Sequence, residues 1–245
     1  MFKRASLIHA LTINEKTNCI AYGVRSSKIS IIPNGVDVNS ILSLRRKIPY
    51  RSKDGFFRLV YCGRLDFYFK GLDLLVESLR VLVKDKGFDN VLLYLIGPDW
   101  NAGKQKIIEI AENYDLSSNI VFCGERFGVD KYEIYANSDL FVLVSRTEGM
   151  PTSVIEAMAF ELACLITPET NIDEKVGKGG GCFFVNGDVG HIVKGIESAI
   201  HCDNLEKIGS KAQEWVLAEL TYQEITKKHL SNYSSVVGCK LQLGG

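Results

Sequence analysis

Short apolar segments alternate with longer segments of helical periodicity along most of the chain from Phe57 onward. In the first helical segment Leu72, Leu75 and Leu79 recur at three- and four-residue steps, which predicts an amphipathic helix over residues 71–86. The strand candidates are rich in β-branched and aromatic residues: RLVYCG, VLLYLIG, NIVFCG, DLFVLVS, ACLIT and CFFV. Strands that alternate with crossover helices predict an α/β fold with a doubly wound parallel sheet.

The pattern changes at both ends of this region. Before it, LIHALTI and KISIIPNG predict two strands that flank a helix, and the polar stretch RRKIPYRSKDG predicts a basic connection. After it, three helical stretches close the chain. The predicted units are an N-terminal segment over residues 1–50, an α/β domain over 51–205, C-terminal helices over 206–237 and a flexible tail over 238–245.

Composition places the chain among ordinary globular proteins, because 46% of its residues are apolar and 24% are charged. Disordered and fibrous classes are therefore excluded. The 29 basic and 29 acidic residues cancel, which argues against nucleic acid as a partner. Any site for an anion must accordingly be local.

Cysteines and hydropathy predict a cytoplasmic protein. Seven cysteines are an odd number without a Cys-x-x-Cys pair, and Cys62, Cys123 and Cys164 lie in apolar runs, which favours buried free thiols. No apolar stretch approaches the roughly 18–20 residues that span a bilayer. One basic cluster could contact anionic lipid and attach the protein to the inner face of the membrane, although a solvated loop is the favoured interpretation of that cluster. That cluster comprises Arg45, Arg46, Lys47, Arg51 and Lys53.

The loop after the first core strand contains Arg64 and Lys70, with glycines at both ends. In open parallel sheets ligands bind at the carboxyl ends of the strands, so this loop is a candidate site. An arginine fork, a mobile ammonium and the N-terminus of the following helix are suited to a diphosphate. Taken alone, two solvated loop charges are an equally good interpretation.

Two glutamates eight residues apart follow the fourth core strand. Glu148 lies in the loop, and Glu156 falls one turn along the helix that Pro151 begins. Carboxylates accept hydrogen bonds from vicinal hydroxyls, so one glutamate suits a sugar and the other a ribose. A glutamate early in a helix is also favoured by the helix dipole, which is the alternative interpretation for Glu156.

These motifs carry a resemblance to a known family. The segments RLVYCGRLDFYFKGLDLLVESL, LLYLIGPD, NIVFCGE and YANSDLFVLVSRTEGMPTSVIEAMA resemble the Rossmann-like C-terminal domain of family 4 glycosyltransferases of the GT-B fold. LIHALTINEKTNCIAYGVRSSKISIIPNGVD is similar to the segment that ends the family's N-terminal domain. The resemblance implies transfer of a sugar from a nucleotide-sugar to a sugar or lipid-linked acceptor, with retention of configuration and without a metal or other cofactor. The chain has no Asp-x-Asp pair.

The resemblance also implies roles for single positions. Glu148 would be the catalytic-site residue that holds the donor sugar, and Glu156 would bind the ribose. Val121 and Phe122 would lie near the base. The residues implied to bind the donor diphosphate are Arg64, Lys70, Gly149, Met150, Pro151 and Thr152.

Most of the family's acceptor domain has no counterpart in this sequence, so a catalytic site is incomplete in this chain alone. His9 is interpreted as a core or interface residue, not as the family's histidine beside the sugar. The alternative to an enzyme is a non-catalytic nucleotide-sugar-binding subunit, or an inactive remnant, that needs a separate acceptor-domain chain. Two expectations are open for four apolar residues of the C-terminal helices: they form an apolar surface for such a partner, or they pack within the chain. These residues are Leu217, Leu220, Ile225 and Leu230.

Two other nucleotide-binding classes fail on their motifs. Residues 97–105 resemble a P-loop, but the glycine spacing is one residue too long and Gln105 replaces the hydroxyl that binds magnesium. The glycine-rich run at 177–181 precedes a strand, whereas a dinucleotide fingerprint opens a helix.

Overall fold

The computed structural model describes residues 4–49 and 54–238. Arg51 and Lys53 of the basic cluster, and residues 239–245 of the predicted tail, lie outside the described residues. The strands are β1 Ile8–Ala10, β2 Ile29–Ile31, β3 Phe57–Cys62, β4 Leu65–Asp66, β5 Val91–Ile96, β6 Asp99–Trp100, β7 Ile120–Gly124, β8 Leu140–Leu143, β9 Cys164–Ile166 and β10 Phe183–Phe184. The α-helices are α1 Ile13–Ala21, α2 Val38–Lys47, α3 Leu72–Arg80, α4 Gly103–Asn113, α5 Gly128–Ala136, α6 Thr152–Ala159, α7 Glu174–Lys178, α8 Val189–Ile200, α9 Leu205–Glu219 and α10 Tyr222–Val237.

The main sheet has six parallel strands in the order β10-β9-β8-β3-β5-β7. The chain therefore builds from β3 outward through β5 to β7, and then returns to the other side of β3 with β8. This reversal is the topological switch point of a doubly wound sheet, where a crevice opens at the carboxyl ends of the two diverging strands. The predicted fold class is confirmed, and the loops after β3 and β8 flank the crevice.

Apolar burial explains why the strand candidates were continuous hydrophobic runs. All four residues of β8 are buried, as are Leu59, Val60 and Tyr61 of β3, because helices cover both faces of the sheet. α3 buries Leu72, Leu75 and Leu79 on one face, which confirms the predicted amphipathic helix. Its last turns continue as a π-helix over Val81–Asp85.

The first elements form a small unit of their own. β1 and β2 pair in parallel, and Ala10, Val24 and Ile29 make a separate buried cluster beneath α1. No residue of α1 is buried, and Ile13 and Tyr22 are 72% and 84% exposed. Apolar side chains are therefore exposed at this end of the chain.

The predicted basic connection is wrong at its start, because Arg45, Arg46 and Lys47 form the last turn of α2. Basic residues in a last turn complement the helix dipole, and the Asp37 side chain caps the first turn by accepting from the Ser40 amide. α2 also contributes Ile41 to the core of the main sheet. The domain boundary at residue 50 stays a prediction.

The C-terminal helices pack on this chain through residues that were candidates for partner surface. Leu220 is 2% exposed, its carbonyl accepts from the Val36 amide at 3.0 Å, and Ile225 is 8% exposed beside Gly35. Leu217 is 39% exposed and Leu230 is half-buried. Packing within the chain is thus the correct interpretation for Leu220 and Ile225.

Two leucines three residues apart, Leu217 in α9 and Leu220 just after it, give a matched test of this packing. Leu220→Ala should lower the free energy of unfolding by about 2–4 kcal/mol, because it leaves a cavity among buried side chains. Leu217→Ala should change it by less than about 0.5 kcal/mol, since its side chain already contacts solvent. Chemical denaturation of both variants measures the difference, and equal losses would contradict the buried position of Leu220.

The cysteines were predicted to be buried free thiols. The described cysteines are all free, and Cys164 and Cys182 are buried, whereas Cys62 and Cys123 are only half-buried. Full burial was therefore wrong for those two. Among the described residues, none of the helices has the length and apolarity needed to cross a bilayer.

Candidate functional site

The crevice at the switch point is walled by two loops that the sequence singled out. The loop 63–71 follows β3, and the loop 144–151 follows β8. The first loop is fixed to its neighbour by the two-residue strands β4 and β6, which pair in parallel. The backbone N–H of Arg146 donates to the Phe69 carbonyl at 2.9 Å and joins the two loops directly.

Lys70 and Glu148 form an ion pair across the crevice. The Lys70 Nζ lies 2.5 Å from Oε1 of Glu148, and their side chains are 18% and 10% exposed. The Ser145 hydroxyl donates to the same carboxylate oxygen at 2.8 Å. The structure therefore brings together the two predicted residues, with the ammonium keeping two further N–H groups for an anion.

Arg64 is exposed at the rim of the crevice and its guanidinium stacks over Trp100, with 4.6 Å to the ring centroid. Its backbone carbonyl accepts a hydrogen bond of 2.6 Å from the Tyr61 hydroxyl, which fixes the start of the loop. Burial raises the pKa of that hydroxyl well above its ordinary value. Within the described ranges Arg64 makes no ion pair, so its five N–H donors are available to a ligand.

The N-terminus of α6 begins where the loop 144–151 ends. Pro151 is the residue before the helix, not its first residue, and no side chain caps the helix there. The Thr152 side chain is exposed, and Gly149 is half-buried. Uncapped amides and the positive end of the helix dipole suit a phosphate oxygen. Met150 is buried and its carbonyl accepts from the Asn34 side chain at 2.7 Å, so its backbone shapes the loop.

Two asparagines that were not predicted as site residues contact the loop 144–151 or its partner residue through side-chain hydrogen bonds. The Asn171 side chain donates to the Glu148 carbonyl at 2.6 Å, and Asn14 of α1 donates to Asn171 at 2.5 Å. The N-terminal segment thus contacts the candidate site through polar side chains. No sequence signal marks these residues, since their partners are 23 and 157 positions away.

Arg146 lies in the segment after β8 that carries the resemblance, but no role was predicted for it. Its guanidinium makes a two-pronged ion pair with Asp73 of α3, with both N···O distances 2.7 Å. It also donates to the Tyr68 carbonyl at 2.6 Å and lies 4.1 Å from the centroid of the Tyr68 ring. Hydrogen bonding to Asp73 raises the pKa of Arg146 above its ordinary value. These contacts fix the backbone on either side of the Lys70–Glu148 pair.

Glu156 lies one turn along α6, as predicted. Its Oε2 accepts from Lys131 Nζ at 2.9 Å, and its side chain is 26% exposed. Lys131 belongs to α5, which follows the strand β7. Lys131 was not predicted, because its partner lies 25 positions further along the chain and no local pattern marks it.

The predicted base-proximal residues lie on β7, the edge strand of the main sheet. Val121 is 37% exposed, and Phe122 is half-buried with the Lys104 ammonium 5.2 Å from its ring centroid. Their strand ends at Gly124, beside the loop that leads into α5. Proximity to a base stays a prediction.

His9 was predicted to lie in the core or at an interface. His9 is exposed, so a core position was wrong; its Nε2 is 2.6 Å from the Ile32 carbonyl, and its ring contacts that of His229. Burial lowers the pKa of His229. Over residues 4–49 and 54–238, no group of three or more His, Cys, Asp or Glu side chains has the arrangement of a metal site.

Doubly wound domains bind their ligands in the crevice at the switch point, and in this chain that crevice carries a paired cation and carboxylate. The family of glycosyl transferases group 1 matches residues 45–215, and the chain belongs to that family. Its C-terminal domain architecture is that of GT-B glycosyltransferases.

Individual relatives agree with this assignment. The chain is 28% identical over 173 residues to mannosylfructose-phosphate synthase of Agrobacterium fabrum, covering 67% of this chain and 38% of that protein. It is 29% identical over 181 residues to the capsular polysaccharide biosynthesis glycosyltransferase CapM of Staphylococcus aureus, covering 73% and 46%. The crystal structure of Anabaena HepE with UDP and glucose superposes with a TM-score of 0.80 at 22% identity, covering 96% of this chain and 64% of that one. The chain thus spans less than half the length of both curated relatives.

Proposed function

We propose that this chain forms the donor-binding side of a retaining, metal-independent glycosyltransferase that uses a nucleoside-diphosphate sugar. The observation that carries the proposal is the Lys70–Glu148 pair in the crevice, with Arg64 at the start of the Lys70 loop and the uncapped N-terminus of α6 at the end of the Glu148 loop. Cations and helix amides neutralise the two negative charges of a diphosphate, and the carboxylate accepts from sugar hydroxyls.

The same groups suit the chemistry of transfer. When the bond from the sugar to the diphosphate breaks, negative charge builds up on the departing phosphate oxygens. Fixed positive groups stabilise this charge more than that of the bound donor, and they take the part that a metal ion has in other transferases. Lys70 and Arg64 are the residues for that role, whereas Glu148 orients the sugar. Retention and metal independence belong to this proposal.

The acceptor side is proposed to come from a further protein surface. Ile13, the first residue of α1, leaves apolar area exposed next to the Asn14–Asn171 contact, which borders the Glu148 loop. Tyr22 exposes more just after the helix. Apolar area at the edge of a site is typical of a surface that another domain or chain covers. The acceptor is proposed to be a sugar or a lipid-linked sugar, and the same exposed area favours, as the second candidate, a binding subunit without catalysis of its own.

Calorimetric titration with UDP, GDP and ADP tests the donor site. We expect micromolar binding of one of these nucleotides, and binding that is unchanged by a chelator, because side chains alone carry the positive charge. Arg64→Ala should weaken it by about 1.5–3 kcal/mol, the usual contribution of a charged hydrogen bond. A folded protein that binds none of the three contradicts the proposal.

Turnover separates the enzyme from the binding subunit. The matching nucleotide-sugar is incubated with the protein and simple sugar acceptors, and release of nucleoside diphosphate is followed. Release that Glu148→Gln abolishes while nucleotide binding persists supports the enzyme. Tight donor binding without release at any acceptor supports the binding subunit.

A further inference from the structure

Lys131 occupies an unusual place for a lysine. It lies on the buried face of α5 together with Tyr132, Tyr135 and Ala136, and it is only 9% exposed. Lysine is almost never buried to this extent unless it is paired. Its partner is Glu156, 2.9 Å away, and its ammonium lies 4.8 Å from the centroid of the Tyr132 ring.

Stability alone gives no reason for this pair. A buried ammonium loses its hydration, and the attraction to a carboxylate commonly does no more than offset that loss. The Glu156 side chain is 26% exposed, so water weakens the attraction further. Met or Leu at position 131 would pack on the neighbouring rings without this cost, which points to a ligand as the reason for the charge.

The two side chains complement each other in hydrogen bonding. A carboxylate only accepts, and an ammonium only donates, whereas each hydroxyl of a vicinal diol does both. One N–H of Lys131 is used by Glu156, and in the described part of the chain no other acceptor contacts the ammonium. Two donors therefore remain beside a carboxylate that is open to solvent on one side.

We propose that Lys131 and Glu156 together recognise the ribose diol of the donor, with Lys131 donating to a hydroxyl oxygen while Glu156 accepts from the hydroxyls. This inference rests on the proposed function and on the ribose-binding role that the resemblance implies for Glu156. Lys131 is then a specificity residue that selects ribonucleotides over 2′-deoxyribonucleotides, because without the hydroxyl the buried ammonium loses an acceptor.

The test compares UDP with 2′-deoxy-UDP, or the corresponding pair for whichever base binds most tightly. The wild-type protein should prefer the ribonucleotide by about tenfold or more, the usual effect of a hydrogen bond to a charged group. Lys131→Met keeps the length and apolar body of the side chain. It should weaken UDP binding and lower the preference for the ribonucleotide severalfold, and the preference that remains is the contribution of Glu156.

Two comparisons make the test specific. Lys86 forms a similar pair with Glu197 at 2.8 Å. Because Lys86 precedes β5, it lies near the amino ends of the strands, whereas the crevice lies at their carboxyl ends. Lys86→Met should leave both dissociation constants unchanged. The ratio of UMP to UDP affinity should be unchanged in Lys131→Met, because that ratio measures contacts to the β-phosphate.

The possible outcomes are separable. A ratio of ribonucleotide to deoxyribonucleotide affinity that is unchanged in Lys131→Met overturns the inference, and so does a wild-type protein that binds both nucleotides equally; the donor site stands in either case. Tighter UDP binding by Lys131→Met also overturns it, since Lys131 would then only compete for Glu156. Only the absence of nucleoside diphosphate binding by the wild-type protein contradicts the proposed function itself.

Discussion

Gly71→Ala should be among the most destabilising single substitutions in this chain. Gly71 has φ +67°, and a Cβ at this position would overlap the carbonyl oxygen of Val144. The left-handed backbone costs about 1–2 kcal/mol for alanine, and the overlap adds about 1–3 kcal/mol because α3 must move away from β8. We expect a melting temperature lower by roughly 5–15 °C, at about 2–4 °C per kcal/mol for a chain of this size.

A second glycine provides the matched control. Gly87 has φ +75°, but nothing lies within 4 Å of a Cβ built on it. Gly87→Ala should therefore show the backbone cost alone, about 1–2 kcal/mol. Differential scanning calorimetry of both variants isolates the overlap as the difference between them. Equal shifts in melting temperature would mean that α3 and β8 can separate freely, contrary to the close approach that positions Lys70.

The main sheet could be predicted because parallel strands are buried on both faces. Each strand then reads as an uninterrupted apolar run, and all six candidates became strands of one sheet. β4 and β6 were missed, since two-residue strands such as Leu65–Asp66 carry no periodicity and exist only through their partner. α2 was missed for another reason: of its ten residues only Val38 and Ile41 are buried, and its last turn is basic. The Asp37 cap was the available signal.

The candidate site could be predicted only for residues that sit in loops at strand ends. Arg64, Lys70 and Glu148 are within reach of sequence reasoning because strand order and sheet geometry bring such loops together. Lys131 and Asn171 act through partners on other elements, and neither position has a local signature. Their distance along the chain from Glu156 and Glu148, 25 and 23 residues, is set by tertiary packing.

A similar limit applies to the C-terminal helices. Leu217 and Leu220 are three residues apart, yet one is 39% exposed and the other 2%. α9 ends at Glu219, so Leu220 leaves the helical repeat and turns inward beside Val36. Periodicity describes a helix and gives no information about the residue that follows its last turn.

Lys70→Met should cause the largest loss of nucleotide affinity. The variant removes a cation from the crevice and leaves the Glu148 carboxylate, 10% exposed, facing the diphosphate without an opposing charge. Loss of a charged hydrogen bond costs about 1.5–3 kcal/mol, and repulsion between carboxylate and phosphate adds to it. We expect the dissociation constant for the best-binding nucleoside diphosphate to rise by about 100-fold or more.

The repulsion can be separated from the lost contact with a second substitution. In Lys70→Met combined with Glu148→Gln, the uncompensated carboxylate is gone, so the double variant should bind the nucleotide more tightly than Lys70→Met alone. Residues in direct contact are expected to show such non-additive effects. Lys86→Met again serves as the control, because it breaks a Lys–Glu pair of similar length, 2.8 Å, near the amino ends of the strands. A double variant that binds more weakly than Lys70→Met would show that Glu148 itself contributes to holding the diphosphate, and the ion pair would then be part of the phosphate site and not only its neighbour.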